Sequence, residues 1–264
     1  MTDWLSITPG DAPLIVSVPH AGTIIPGDIS GLISGDLTVN DADHHVDRLY
    51  AFAAEMGATI IHSRVSRTVI DLNRDPSGQS LYPGQATTGL CPSTTFEGEP
   101  LYIEGAEPDD AEIARRRAAY YAPYHAALRE QIERLRAIYP AIVVYDAHSI
   151  RSHVPRLFAG ELPQFNIGSY DGASCAAALT DAIAADCGGE SHIVNGRFKG
   201  GWITRHYGEP ARDIHAVQME LAIRGYADED GDWPPIWDEA RSATMQAKLR
   251  TILTTCLKFA KDQT

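Results

Sequence analysis

Hydrophobic and polar positions along this chain fall into two kinds of block. Short, mainly apolar runs occupy 14–18 (LIVSV), 58–62, 68–72, 141–145 (AIVVY) and 216–222 (AVQMELA), the fourth of them unbroken. Unbroken β-branched runs of this length are what strands covered on both faces look like. Between them lie longer stretches with apolar residues every three or four positions, the helical period. Residues 43–56 place Val46, Leu49, Tyr50 and Ala53 on one side, which predicts a helix. A second helical stretch covers about 109–138, with Tyr121, Leu128, Ile132 and Leu135 inward, and Pro123 predicts a break or kink in it. A third runs through SYDGASCAAALTDAIAADCGG and stops at Gly188-Gly189. The last covers about 239–260, with its stripe at Met245, Leu249, Ile252 and Cys256. Residues 76–108, rich in Pro, Gly, Thr and Ser, form the longest irregular stretch, a length that in compact domains usually serves function. Alternating strand and helix blocks predict a layered α/β fold. With no repeat or linker-like tract, 1–264 reads as one domain.

In open α/β sheets ligands bind beyond the carboxyl ends of the strands, so polar residues there are the ones to collect. LIVSVPHAG puts His20 directly after the first strand. AIVVYDAHSI ends a core strand with Asp146 and His148. AVQMELA alternates Val217, Met219 and Leu221 on one face with Gln218 and Glu220 on the other. A buried Glu there is costly unless it is paired or working. Two strand-end histidines suit a divalent metal, with a carboxylate as the common third ligand. NDADHHVDRLY offers Asp43, His45 and Asp47 for that place, and spacing does not choose among them.

Composition narrows the partners. A net charge of −13 argues against nucleic acid and anionic membrane surfaces. No apolar run reaches the ~20 residues of a membrane span. The beginning, MTDWLSITPGDAP, has no secretory pattern, and the four cysteines (Cys91, Cys175, Cys187, Cys256) form no C-x-x-C pair, so a cytoplasmic protein with reduced thiols is expected. Of 22 basic residues 18 are Arg, the better fork for a carboxylate. Arg67, Asn73-Arg74, Arg151, Arg156 and Arg205-His206 lie near predicted strand ends, which in so acidic a chain points to a small anionic substrate. G-x-S-x-G, G-x-G-x-x-G, P-loop and H-E-x-x-H patterns are absent, which turns the reading away from acyl-enzymes and nucleotide cofactors.

The motifs VSVPHAG, D-x-H at 43–45, SRTVIDLNR, YDAHSIRSHVPRLF, NGRFKGGWITRHYG and HAVQMEL, in this order over about 12–226, resemble those of the N-formylglutamate amidohydrolase (N-formylglutamate deformylase) family of bacterial histidine degradation. More distantly the chain is similar to zinc carboxypeptidases and the succinylglutamate desuccinylase group. The resemblance implies a three-layer α/β/α fold with a mixed, mostly parallel sheet, zinc carboxypeptidase-like, and one Zn2+ ion. It implies His20, Asp43 and His148 as metal ligands, with His45 still an alternative because His44 stands where the family pattern has an aromatic residue. It implies Glu220 as the catalytic base, Asn73 and Arg74 on a substrate carboxylate and Arg67 as an accompanying arginine. The chemistry further calls for a cation beside the developing oxyanion, Arg67 or Arg205, and for one more arginine (Arg151 or Arg205) on the second carboxylate. The implied reaction is hydrolysis of N-formyl-L-glutamate to formate and L-glutamate. Alternatives are a zinc amidohydrolase for another N-acyl amino acid or small peptide, and a non-catalytic small-acid binding protein. The oligomeric state is not fixed by the sequence.

Overall fold

The computed structural model describes residues 4–33, 35–231 and 233–263. Seven of its strands form one sheet: β1 (Leu5–Thr8), β2 (Leu14–Val18), β3 (Thr59–Ser63), β4 (Ile142–Ile150), β5 (Phe165–Gly168), β6 (His192–Val194) and β7 (Ile214–Ala222). Their order is β1-β3-β2-β4-β7-β5-β6. Only β1–β3 and β5–β7 pair antiparallel, so the sheet is mixed and mostly parallel, as expected. The centre is the β4–β7 pair, in register from Ile142↔Ile214 to Ile150↔Ala222.

Helices cover both faces: α1 (Val46–Leu49), α2 (Asp110–Arg116), α3 (Ala122–Arg136), α4 (Ala177–Asp186), α5 (Trp202–Tyr207) and α6 (Glu239–Asp262). Strand alternation sends Val143, Tyr145 and Ala147 of β4 and Val217, Met219 and Leu221 of β7 toward α4 and α6. There they meet Leu179, Ile183, Leu249, Ile252 and Cys256. Ile142, Val144 and Ala216 face the opposite way, onto Leu128, Ile132 and Leu135 of α3 and Ile203 of α5. Each such Leu or Ile contributes roughly 1.5–3 kcal/mol when fully buried. The result is the three-layer α/β/α sandwich. The second face has a consequence for chemistry. Beyond its apolar residues it carries Ser17 of β2, Asp146 and His148 of β4, and Gln218 and Glu220 of β7, with Ser17↔Asp146, Asp146↔Gln218 and His148↔Glu220 as neighbours.

Several expectations change. Residues 43–56 are not one helix but the single turn α1 followed by a 3-10 helix, Ala51–Met56. Val46, Leu49, Tyr50 and Ala53 are nevertheless fully buried. Spacings of three and four satisfy the tighter coil as well as an α-helix, so the pattern could not tell them apart. Residues 68–72 form turns instead of a strand, because β3 already has β1 and β2 on its two sides. Val69, Ile70 and Leu72 are still buried, packed in the layer of α3. At 109–138 Asp109 caps α2, accepting from the Glu112 N–H at 2.8 Å, and the helical path continues into α3 through a π-turn at Arg117–Tyr121. Pro123 lacks an N–H and its ring crowds the carbonyl four residues back, and the wider turn just before it accommodates both. The loop expected at 195–208 contains α5, and β1, β5 and β6 had no counterpart in the pattern.

Arg116 holds the irregular segments onto the helices. It is 1% exposed, pairs with Glu112 at 2.7 Å, and donates to the Val69 carbonyl at 3.1 Å and the Tyr102 hydroxyl at 2.7 Å. Arg116→Met leaves both acceptors without a donor while keeping an apolar stem. Unfolding in urea should show a loss of about 2–4 kcal/mol, and a loss below about 1 kcal/mol would mean these segments are held elsewhere.

Candidate active site

The chain reaches the site from four directions. After β2 the VPHAG turn carries His20, and Gly22 packs so tightly that a Cβ there would stand 2.2 Å from the Arg64 carbonyl carbon. Asp43 sits in the turn before α1, with its N–H on the His20 carbonyl at 2.9 Å, which ties the two positions together. The 66–74 turns bring Arg67, Asp71, Asn73 and Arg74. The parallel pair β4–β7 brings Asp146, His148, Gln218 and Glu220.

His20, Asp43 and His148 form a buried cluster whose ligand atoms lie within 4.8 Å of one another. His148 Nδ1 is 3.0 Å from Asp43 Oδ2, and His20 Nδ1 is 3.8 Å from the same oxygen. His20 Nδ1 is buried without a hydrogen-bond partner. The opposite nitrogens are held by carboxylates: His20 Nε2 lies 2.8 Å from Asp71 and His148 Nε2 2.9 Å from Asp146. Two inward imidazole nitrogens and one carboxylate oxygen, each ring backed by an acid, fit a divalent cation. Of the candidates for the third ligand, Asp43 alone joins. His45 is turned away by a left-handed backbone (φ 65°), packs on Trp237 and reaches the Pro235 carbonyl at 2.8 Å, and Asp47 is exposed.

Charges in the cluster are set by burial and close partners. Burial, then Arg67, lowers the His20 pKa, which favours the neutral imidazole. At His148 burial works the same way but Asp146 and Asp43 outweigh it and raise the pKa well above the usual value. Asp71 goes well below the carboxylate range, because Arg74, His20 and Arg67 overcome the effect of burial. Burial pushes the Glu220 carboxyl up to about 8, with His148 and Arg67 pulling down and Asp43 and Asp146 pushing up by smaller amounts. The Gln218 amide donates to Glu220 at 3.1 Å and accepts from the Gly201 N–H at 2.7 Å, which fixes the acid relative to the glycine loop.

A cleft opens over this cluster, lined among others by His20, Arg67, Arg74, His148, Arg197 and Glu220. Arg67 is nearly buried, donating to Asp71 at 2.6 Å and to Asp43 at 3.4 Å, with its guanidinium 4.9 Å from the Phe96 ring centre. Arg74 holds the Thr88 carbonyl and hydroxyl at 3.1 and 3.2 Å. Asn73 also lines the cleft, yet most of its polar atoms serve the protein. Its Nδ2 lies 2.8 Å from Asp146 and 2.9 Å from His148 Nε2, and its Oδ1 accepts from the Ile203 N–H. A Cβ at Gly201 would stand 2.5 Å from that amide.

Three sequence candidates lie outside the cleft lining. Arg151 pairs with Asp41 at 3.1 Å and Glu97 at 2.6 Å and stacks on Trp233. Arg205 donates to the Gly200 and Leu81 carbonyls at 2.9 Å and lies over the Tyr82 and Tyr170 rings. Arg156 likewise turns to the Phe96 carbonyl. Their nearness in sequence to a strand end did not decide where their side chains point. Asp71 and Arg197 were missed. Asp71 lies two residues before Asn73, and Arg197 lies inside the NGRFKGGWITRHYG motif, but spacing alone marks neither as part of the site.

Fold and site together define a three-layer α/β protein with a candidate metal centre and a buried glutamate at the carboxyl ends of its central strands. The N-formylglutamate amidohydrolase family model matches residues 12–227, and the chain belongs to that family. It is 44% identical to the N-formylglutamate deformylases of Pseudomonas putida and Pseudomonas aeruginosa, over 100% of this chain and 99% of each relative. The crystal structure of N-formylglutamate amidohydrolase from Ralstonia eutropha shares the fold with a TM-score of 0.82 at 24% identity, covering 99% of both chains. The gene product Atu2144 of Agrobacterium tumefaciens does so with a TM-score of 0.70 at 21% identity, over 97% of this chain and 95% of that one.

Metal analysis tests the cluster directly. Asp43→Ala should lose bound divalent metal after dialysis while His45→Ala keeps it. Asp71→Asn should weaken retention against a chelator about 10–100-fold, and unchanged retention would remove the carboxylate behind His20 from the design.

Proposed function

We propose that this chain hydrolyses N-formyl-L-glutamate to formate and L-glutamate with one divalent metal ion, zinc, held by His20, Asp43 and His148. The observation that carries the reading is the full-length match to two N-formylglutamate deformylases, and the site geometry supports it. Two histidines and one carboxylate with a free position is a catalytic zinc arrangement. When bound, such an ion supplies polarisation of the formyl oxygen and a lowered pKa for an attacking water.

The chain's own residues do the rest. Glu220 takes a proton from the water and hands it to the amide nitrogen as the C–N bond breaks, so that formate and a free amine leave. Positive charge at the triad brings the raised Glu220 carboxyl back toward the range of a base at neutral pH. Arg67, fixed by Asp71 and Asp43, stabilises the negative charge that develops on the formyl oxygen. Arg74 takes the α-carboxylate. A neutral His148 with Nδ1 free for the metal carries its proton on Nε2 and donates it to Asp146, which leaves Asn73 one Nδ2 hydrogen to offer beside Arg74. Arg151 and Arg205 have no part in this scheme, since neither lines the cleft. The activity belongs late in histidine degradation, in the cytoplasm. Among the described residues no helix is long and apolar enough to cross a membrane.

Formate release from N-formyl-L-glutamate should stop on chelation and return with added zinc. Activity that survives complete metal removal would overturn the metal reading, and no formate from the zinc-loaded protein would overturn the substrate. Glu220→Gln should retain metal and lose about 10²–10⁴ in kcat. A variant with unchanged kcat would exclude Glu220 as the base.

A further inference from the structure

The cleft contains a third arginine with different surroundings from the other two. Arg197 comes from the NGRFKGG loop and lines the cleft together with Arg74 and Glu220. Its Nε donates to the Leu157 carbonyl and one Nη2 hydrogen to the Ala86 carbonyl, both at 2.8 Å. The Tyr82 and Phe198 ring centres each lie 5.4 Å from the guanidinium carbon. Two carbonyls and two rings fix the group, and none of them carries a negative charge. Arg67 has Asp71 and Asp43 as acid partners, and Arg74 has Asp71 at 3.7 Å. For Arg197 no carboxylate of the described residues lies within 4.0 Å. Burial presses its pKa down, with Arg74 adding to the effect and Tyr82 and Glu220 opposing it by smaller amounts. Of five N–H donors, two are spent on carbonyls, which leaves both Nη1 hydrogens and one on Nη2, enough for a two-oxygen acceptor.

We propose that Arg197 binds the side-chain carboxylate of the substrate and is the residue that selects N-formylglutamate over uncharged N-formyl amino acids. The inference rests on the proposed function and deepens it. Two observations place the side-chain carboxylate here rather than the α-carboxylate. Asn73, next to Arg74, reaches within 2.9 Å of His148, so this pair stands beside the metal cluster. The contacts of Arg197 are instead Ala86, Leu157, Tyr82 and Phe198, away from the three metal-binding side chains. Arg67 touches Asp43 of the cluster, Asn73 touches His148, and the contacts of Arg197 include neither, which matches formyl group, α-carboxylate and side-chain carboxylate in turn along the substrate. Arg74 and Arg197 also grip one loop two residues apart, at Thr88 and Ala86, so the two guanidiniums sit on neighbouring parts of the cleft.

Arg197 is also held at a fixed place relative to the base. Tyr82 donates to the Gly200 carbonyl at 2.9 Å and accepts from the Lys199 N–H at 3.2 Å. The adjoining Gly201 N–H binds Gln218, whose amide holds Glu220. A carboxylate seated on Arg197 thus sets the distance from the substrate's far end to the proton acceptor, which is how remote binding energy is converted into alignment.

The test compares kcat/KM for N-formyl-L-glutamate and N-formyl-L-glutamine, which differ in the charge of the side chain, in the zinc-loaded wild type, Arg197→Met and Arg197→Lys. The wild type should prefer formylglutamate strongly. Arg197→Met should lose roughly 10²-fold or more on formylglutamate and far less on formylglutamine, so that the preference collapses, while Arg197→Lys recovers part of it. Equal losses on both substrates in Arg197→Met would make Arg197 merely structural and overturn the inference, as would a wild type without preference. If Arg197→Met does not fold, Arg197→Lys decides alone, because it keeps the charge and loses the fork. A preference unchanged in that variant overturns two-oxygen recognition. No formate from either substrate in the wild type is a different result, the failure of the functional reading itself.

Discussion

Four carboxylates, Asp43, Asp71, Asp146 and Glu220, are buried within one cluster where β2, β4 and β7 end, and their compensation constrains everything around them. A buried carboxylate without partners is worth several kcal/mol of instability. Asp71 meets this with Arg67 and His20, and Asp146 with Ser17, Asn73 and His148. Asp43 is shared between two histidines and Arg67. Glu220 has the weakest compensation, one amide hydrogen from Gln218, and its carboxyl is correspondingly pushed up. A cluster so arranged is stable only if its partners arrive together. That explains why a turn at 66–74, a turn at 43 and two parallel strands converge on it.

The same constraint separates the arginines. In a chain of net charge −13, most guanidiniums find acids nearby, and an arginine that does so has spent its charge. Arg151 has Asp41 and Glu97, and Arg116 has Glu112. Arg67 is also spent, but on acids that belong to the site, and so it becomes a fixed positive wall beside the metal cluster. Arg197 is held by carbonyls and aromatic faces, which position a guanidinium without neutralising it. Local positive potential for an anionic substrate therefore comes from how few acids surround one arginine, not from the number of arginines.

How much of this was legible in the sequence follows from what each signal measures. Runs of β-branched residues mark burial on two faces, and β2, β4 and β7 were found from them because central parallel strands have no other way to be covered. His20, His148 and Glu220 followed, since strand alternation and strand ends are local properties. Asp43 required the D-x-H resemblance, because its place depends on a long-range bond between its N–H and the His20 carbonyl. Residues 68–72 looked like a strand because burial and strand pairing leave the same apolar signature, and only the occupied neighbours of β3 distinguish them. β5 and β6 are too short, and β6 too exposed, to rise above the surrounding loops.

The arginines were harder still. A backbone position near a strand end says where the Cα is, but a guanidinium reaches several ångströms further, and its direction is set by partners far away in sequence. Arg205 reaches Leu81, 124 positions distant, and Arg197 reaches Ala86, 111 positions distant. Both partners lie in the irregular 76–108 stretch, which has no periodicity from which its path could be read. That stretch is therefore where the identity of the anion-binding residues is decided. It gives each arginine one carbonyl, Leu81 for Arg205 and Ala86 for Arg197, and the shared ring of Tyr82, while their second acceptors differ, Gly200 for Arg205 and Leu157 for Arg197. A loop without secondary structure thus braces two arginines of one motif, and of these two Arg197 is the one that lines the cleft.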